Sequence, residues 1–209
     1  MANVTRKKKG QYHHGDLRDT LIRAAIDLVA ESGVEGFTLR EAAKRAGVSA
    51  AAPYRHFADR ASLLVAVAEE GFAILLPLMR AKLERDSHDS LATLAELGVT
   101  FVEFGALHPS HFQLMYGPHL SDRASHPTLG DLDLEGFHML TQAITQAQQE
   151  GKVREGDARQ MALVCFALVY GAVTIYLDGE MGRLGFSPSQ AQSTLEIAGL
   201  YMLQGLTPG

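Results

Sequence analysis

Thr38-Leu39-Arg40-Glu41-Ala42-Ala43-Lys44-Arg45-Ala46-Gly47-Val48-Ser49 is the stretch whose reading decides the fold. Leu39, Ala42, Ala43 and Ala46 recur at helical spacing and make one apolar face. Thr38, followed three residues later by Glu41, is a capping-box signature for the helix start. Gly47 supplies the left-handed residue that a tight helix exit needs. Val48 is placed to plug a core, and Ser49 to begin a second short helix, Ala50 to about His56. The small Ala42 and Ala43 allow that helix to cross closely. This is what a helix-turn-helix requires, with its second helix offered to the major groove of DNA. A helical hairpin used only for packing fits the same pattern. Pro53 lacks the N–H that would bond back to Ser49, so the second helix is expected to be tightened or bent at its start.

Upstream, Leu17, Leu21, Ala24, Ala25, Leu28 and Val29 predict a helix with Asp16 as its N-cap and Gly33 just past its end. Residues 1–15 show no apolar period and read as a flexible basic arm carrying Arg6-Lys7-Lys8-Lys9. Downstream, Asp59 can cap the start of a long helix, which Pro77 is expected to kink or interrupt. Further helices are predicted at Leu91–Leu107, Ser110–Tyr116, Leu129–Glu150, Ala158–Leu177 and Ser189–Leu203. His108-Pro109, Gly117-Pro118, Gly151, Gly179–Gly185 and Ser187-Pro188 mark the breaks. No alternating strand pattern is present, so the expected fold class is all-α. Three parts follow: the arm 1–15, a three-helix helix-turn-helix domain 16–65, and a larger helical domain 66–209.

Charge supports this division. The whole chain carries a net −5, which taken alone argues against a nucleic-acid partner. Residues 1–65, however, hold eleven Lys and Arg against seven Asp and Glu, whereas residues 66–209 hold eight against seventeen. A basic head on an acidic body presents one face to a polyanion. The single cysteine, Cys165, excludes an internal disulfide and a Cys-based zinc site, and its apolar neighbours suggest a buried, inert thiol. The basic N-terminus is not followed by an apolar core, so it is no secretory signal. The longest apolar stretches are broken by Gly, Asp or Glu short of about 18 residues, so no membrane span is expected and a cytoplasmic location follows.

Residues Thr38 to Phe57, together with Asp59-Arg60-Ala61-Ser62-Leu63-Leu64, resemble the DNA-binding domain of the TetR/AcrR family of transcriptional regulators. The likeness runs continuously over about residues 16–65. Turn glycine, Tyr-x-His-Phe and the following Leu pair all fall in register. The resemblance implies a homodimer on palindromic double-stranded DNA, its two recognition helices about 34 Å apart. Thr38 and Arg40 match positions that contact a phosphate and, in some members, a base. Tyr54, His56 and Arg60 match phosphate contacts, and Phe57 a core position. Ser49, Ala50, Ala51, Ala52 and Arg55 complete the candidate DNA surface. Three alanines can sense a thymine methyl but cannot hydrogen-bond a base edge. Specificity is therefore expected to lean on Arg40, Arg55, the basic arm and DNA shape.

The body resembles one branch of the same family at His108-Pro109-Ser110-His111-Phe112-Gln113-Leu114-Met115-Tyr116. Phe166-Ala167-Leu168-Val169-Tyr170-Gly171 resembles that branch's Trp-x-x-x-His-Gly, with Phe for Trp and Tyr for His. In the family the last two helices pair with their mates across the dimer. Phe72, Phe101, Phe104, Met115, Tyr116, Phe137, Phe166 and Tyr170 are candidates for lining a pocket for an apolar or aromatic ligand, with plain core packing as the alternative for most of them. His108, His111, His119, His126 and His138 cluster in sequence. His-x-x-His with an intervening proline and no cysteine is poor ligand spacing, so no metal and no cofactor is expected. The leading function is a repressor released by a small apolar or aromatic molecule. The alternative is a small-molecule binding protein or enzyme on the helical body with a vestigial DNA-binding head. No nucleophile elbow, nucleotide-binding glycine loop or paired-carboxylate spacing supports catalysis, so no catalytic residue is assigned.

Overall fold

A computed structural model describes residues 14–85, 89–120 and 122–207, and no strand occurs among them. The order is α1 (His14–Gly36), α2 (Leu39–Arg45), α3 (Arg60–Leu83), α4 (Ser90–Leu107), α5 (Pro109–Tyr116), α6 (Pro127–Gln149), α7 (Ala158–Leu177), α8 (Glu180–Arg183) and α9 (Pro188–Gln204). Short 3-10 turns lie at Pro53–Arg55, Pro118–Leu120 and Arg123–Ser125. The chain divides into two compact units, the first ending at Val67 and the second beginning at Ala68.

In the first unit α1 begins at His14, so Asp16 lies within its first turn rather than ahead of it, and residues 14 and 15 are helical. The rest of the expected arm, with Arg6 to Lys9, lies outside the described residues. Gly33 adopts φ 73°, a left-handed break that ends the regular part of α1 where the sequence expects it. The core of this unit gathers Leu21, Ala25, Val29, Phe37, Leu39, Ala42, Phe57 and Leu63. Val48 is half-buried, a partial plug.

The second unit is built on α4, which packs against α5, α6, α7 and α9. Its helices α4, α5, α6, α7 and α9 fall within one or two residues of the predicted ones, whereas the short α8 forms inside the Gly179–Gly185 run that the sequence marks as a break. Pro77 does not end α3, which continues to Leu83; the proline stands on the exposed side, where a missing N–H is least costly. At Gly105 a Cβ would lie 2.4 Å from Val173 Cγ1, so glycine is what lets α4 and α7 touch there. Two polar ties hold helix ends. Ser90 Oγ donates to Glu150 Oε2 at 2.7 Å, joining α4 to the end of α6, and Lys152 Nζ lies 2.9 Å from the same oxygen.

Composition along the chain needs one correction. Three helices, α3, α4 and α7, are long and apolar enough to cross a membrane by length and composition. The interruptions are glycines and isolated charges, which shorten an apolar run without making a helix polar. Within the fold about half of that surface is buried for α3 and α4, but only 22% for α7. Leu163, Val164, Leu168 and Ile175 of α7 are exposed, as are Ile197 and Tyr201 of α9.

Candidate nucleic-acid interface and cavity

The helix-turn-helix is assembled by local hydrogen bonds. Thr38, extended at φ −137° and ψ 151°, caps α2 by accepting the Glu41 N–H at 3.2 Å. The Glu41 carboxylate returns to the Thr38 hydroxyl at 2.8 Å, so the reciprocal half of the box runs through the side chain. At the other end Gly47, at φ 69°, donates to Lys44 O and Val48 donates to Ala43 O, at 3.2 and 3.0 Å. Those two bonds are a Schellman exit. Arg45 reaches back to Glu31 of α1 with two contacts, 2.8 and 2.5 Å. This bidentate bond holds the Glu31 carboxyl below its usual range.

The second element departs from the expected α-helix. Residues 50–52 form a turn and Pro53–Arg55 a single 3-10 turn. Ala52 donates to Ser49 O, Arg55 to Ala52 O and His56 to Pro53 O, all three-residue bonds at 2.9, 3.2 and 2.9 Å. Pro53 explains the tightening, because it cannot donate the four-residue bond that would set an α-helical pitch.

Thr38, Arg40, Ser49, Ala50, Ala51, Tyr54 and Arg55 are exposed, and Ala52 and His56 are half-buried. Tyr54 keeps 61% of its surface accessible, a large aromatic left outside the core. Arg60 is placed differently from a free phosphate contact. Its Nε donates to Phe37 O at 3.0 Å and its Nη2 to Val34 O, with the guanidinium 5.9 Å from the Phe37 ring. It ties α3 to the α1–α2 connection, a role that a basic residue at a helix start does not reveal by register. Arg18, over Phe57 at 5.6 Å, plays a similar part and was not singled out in the sequence. Asp59 and Ser62 begin α3 by exchanging bonds, Ser62 N–H to Asp59 Oδ1 at 2.8 Å and Asp59 N–H to Ser62 Oγ at 3.1 Å.

In the second unit the two family-like segments meet. Phe112 and Tyr116 of α5 pack with Phe166 and Tyr170 of α7. The Phe166 and Tyr170 rings stack at 5.7 Å, and Tyr116 lies 5.7 Å from Phe166. Phe101 of α4 joins the cluster at 5.4 Å from Tyr116. Beside it is a cavity of about 270 Å³ walled by α3, α4, α5, α6 and α7. Of the eight candidate pocket residues, Phe101, Tyr116, Phe137 and Phe166 stand on its wall. Phe72, Phe104, Met115 and Tyr170 are not among the lining residues; the first three are buried in the core. The wall also takes Met79, Leu97, Gly98, Leu140, Cys165 and Asp133, which the sequence reading did not single out for a pocket. Burial pushes the Cys165 thiol up to about 11, in keeping with an inert sulfur.

Asp133 had a legible signal. Leu129, Asp133, Gly136 and Leu140 share one face of α6, so a carboxylate interrupts an inward stripe. Its Oδ2 lies 3.6 Å from Arg123 Nε. Burial raises its carboxyl above the usual range despite that guanidinium. Tyr116, deeply buried and near Asp133, has its phenol raised as well.

Of the five histidines, His108 and His111 meet edge to face with ring centres 5.6 Å apart. His111 is buried with Nε2 3.5 Å from Glu70 Oε1, and His108 stacks on Phe104 at 5.1 Å. Burial lowers the His111 imidazole, which favours its neutral form. Among the described residues no group of three His, Cys, Asp or Glu could hold a metal.

Known proteins agree with this geometry. Residues 21–67 match the family described as bacterial regulatory proteins, tetR family, and residues 94–198 match the tetracyclin repressor-like C-terminal domain. An uncharacterized HTH-type transcriptional regulator of Mycobacterium bovis is 28% identical over 163 residues, 76% of this chain and 80% of that protein. The class A tetracycline repressor protein of Escherichia coli is 51% identical over 51 residues, 24% of each chain. The structure of a Rhodococcus protein of unknown function superposes with a TM-score of 0.76 at 32% identity, covering 96% of this chain and all of that one. With a C-terminal match over half its length and a helix-turn-helix match ahead of it, the chain belongs to the TetR family of DNA-binding transcriptional regulators.

Proposed function

We propose that this regulator is a cytoplasmic homodimeric repressor that leaves its palindromic operator when a small apolar or aromatic molecule fills the cavity of the second unit. The observation that carries the reading is the cavity itself. A closely packed helical bundle leaves few voids larger than a water, yet here about 270 Å³ stays open between five helices. A regulator that responds to a ligand needs such a space, because the ligand must favour one of two states, typically by about 1–3 kcal/mol.

On the DNA side, Arg40, Tyr54 and Arg55 offer the exposed donors, with Thr38, Ser49, Ala50, Ala51, Ala52 and His56 beside them. Arg40 is the candidate for a bidentate contact to guanine. Arg60 acts from beneath, keeping the turn in place through its carbonyl bonds. Dimerisation is supported by the outer faces of α7 and α9, where Val164, Leu168, Ile197 and Tyr201 form too broad an apolar surface for a monomer.

A second reading, a ligand-binding protein with a vestigial head, draws on the recognition segment, which has three alanines and a single 3-10 turn. Gel retardation on the DNA upstream of the gene separates the two. Sequence-preferring retention is expected for the wild type and is lost with Arg40→Ala plus Tyr54→Phe. A wild type that shows no sequence preference at moderate salt would sink the regulator-with-operator reading. The supporting companion result is release from that DNA by a compound that raises the thermal stability of the protein.

A further inference from the structure

We infer that the cavity takes an organic cation, a molecule with an apolar body and one protonated amine or quaternary ammonium set against Asp133. The inference rests on the reading of this cavity as the effector site. It starts from the wall, where Asp133 is the one charged side chain among the described lining residues. The same wall carries four aromatic rings, those of Phe101, Tyr116, Phe137 and Phe166. Aromatic faces carry negative quadrupole density and attract a cation within about 6 Å of the ring centre. A carboxylate among such faces is the chemistry that selects an ammonium and turns away an anion.

Arg123 does not cancel this preference. Its guanidinium is not part of the wall, and it is held by backbone acceptors: Nη1 donates to Leu120 O at 2.7 Å and Nη2 to Met115 O. Its Nε lies 3.6 Å from Asp133 Oδ2. A carboxylate offers about four acceptor positions, so most of the capacity of Asp133 remains for a ligand. Burial disfavours the ionised carboxylate more strongly than Arg123 favours it, so a second positive group is worth more here than at a hydrated surface. The acidic balance of residues 66–209, eight basic against seventeen acidic side chains, adds attraction for a cation at long range.

Three probes that share a benzyl group test the idea by equilibrium dialysis against the full-length protein. They are benzyltrimethylammonium, its neutral isostere neopentylbenzene, and phenylacetate. The wild type is expected to bind the ammonium about tenfold more tightly than the isostere, the scale of one desolvated cation–aromatic and charge contact. Phenylacetate is expected to bind weakest. In Asp133→Asn the ammonium should lose its advantage while the isostere binds as before, since the apolar wall is untouched. Equal affinity for ammonium and isostere in the wild type, or tightest binding of phenylacetate through Arg123, overturns the cation inference and leaves the cavity reading standing. Binding of none of the three overturns both. The wild-type comparison decides the matter even where Asp133→Asn fails to fold.

Discussion

The two units are held together by different means, and each means sets what its unit can do. In the first unit the contacts that shape the caps and the turn are short in sequence, with Arg45 and Arg60 as the longer ties. Thr38 with Glu41, Gly47 and Val48 with the end of α2, and Asp59 with Ser62 all close within five residues. In the second unit they are long. Phe101, Phe112, Tyr116, Phe166 and Tyr170 come from three helices and meet only after the chain has folded back. Local bonds give one rigid shape, which suits a surface that must present Arg40, Tyr54 and Arg55 in fixed register. Contacts between distant helices can leave a void without breaking any one element, which suits a chamber.

The largest effect that tests this contrast is expected in the first unit. Phe37 is 1% exposed and lies under the Arg60 guanidinium. Phe37→Ala should cost about 3–5 kcal/mol, and more of the total in a unit this small than the same loss would in the body. Calorimetry should show the lower transition moving while the response to a cavity ligand persists. If the whole protein instead unfolds in one shifted step, the two units are not energetically separable and the contrast weakens.

The same difference explains what could be read from the sequence. The caps at Thr38 and Asp59, the turn glycine, the tightening at Pro53 and most helix boundaries were legible, because each depends on a few adjacent residues, although the cap expected at Asp16 was not one of them. The fate of Arg60 was not. Register places a basic residue at the start of α3, but only the fold brings the carbonyls of Val34 and Phe37 beneath it. The cavity was half legible for a related reason. Large aromatic residues were natural candidates, yet Phe72 and Met115 went to the core and Gly98, Leu140 and Asp133 to the wall. A void is what packing leaves over, and it depends on the rotation of α6 against α4 and α7.

A next smaller effect is expected where long-range packing is tightest. Gly105→Ala would set a methyl 2.4 Å from Val173 Cγ1 and 3.1 Å from Phe112 Cδ2. Both neighbours are branched or ring atoms that cannot swing aside, so α4 and α7 must separate. Overpacking of this kind costs about 1–3 kcal/mol. Because Phe166 and Val169 lie on the same α7, ligand affinity should change together with stability. The double variant with Val173→Ala should recover most of the loss, and additive effects in that cycle would mean the two residues do not press on each other.

Smaller again is Gly47→Ala. Nothing lies within 4 Å of a Cβ there, so the cost is purely that of a left-handed φ of 69°, about 1–2 kcal/mol for an L-residue. Gly47→Asn should recover part of it, since asparagine tolerates that conformation. Operator affinity is the sharper readout, because a strained turn would shift the register of Tyr54 and Arg55. Equal loss in both variants would point to a steric rather than a conformational cause.

The smallest effect belongs to the polar tie between α4 and α6, and it bears on whether the body is locally fastened at all. The Glu150 carboxylate receives Lys152, the Ser90 hydroxyl and the Gln146 amide, and these hold it down at about 2, from an ordinary 4.5. A carboxyl whose value is depressed on folding stabilises the fold above its unfolded value. That contribution is complete above pH 4.5 and is lost as the pH falls towards 2. Glu150→Gln should therefore lower the urea midpoint slightly at neutral pH, and the gap to wild type should close through that acid window. The group is exposed, so solvent and salt screen it and the gap should shrink in high salt as well. A gap that persists unchanged below pH 2 would mean that Glu150 acts through shape alone, leaving the body with even fewer local fastenings than the first unit.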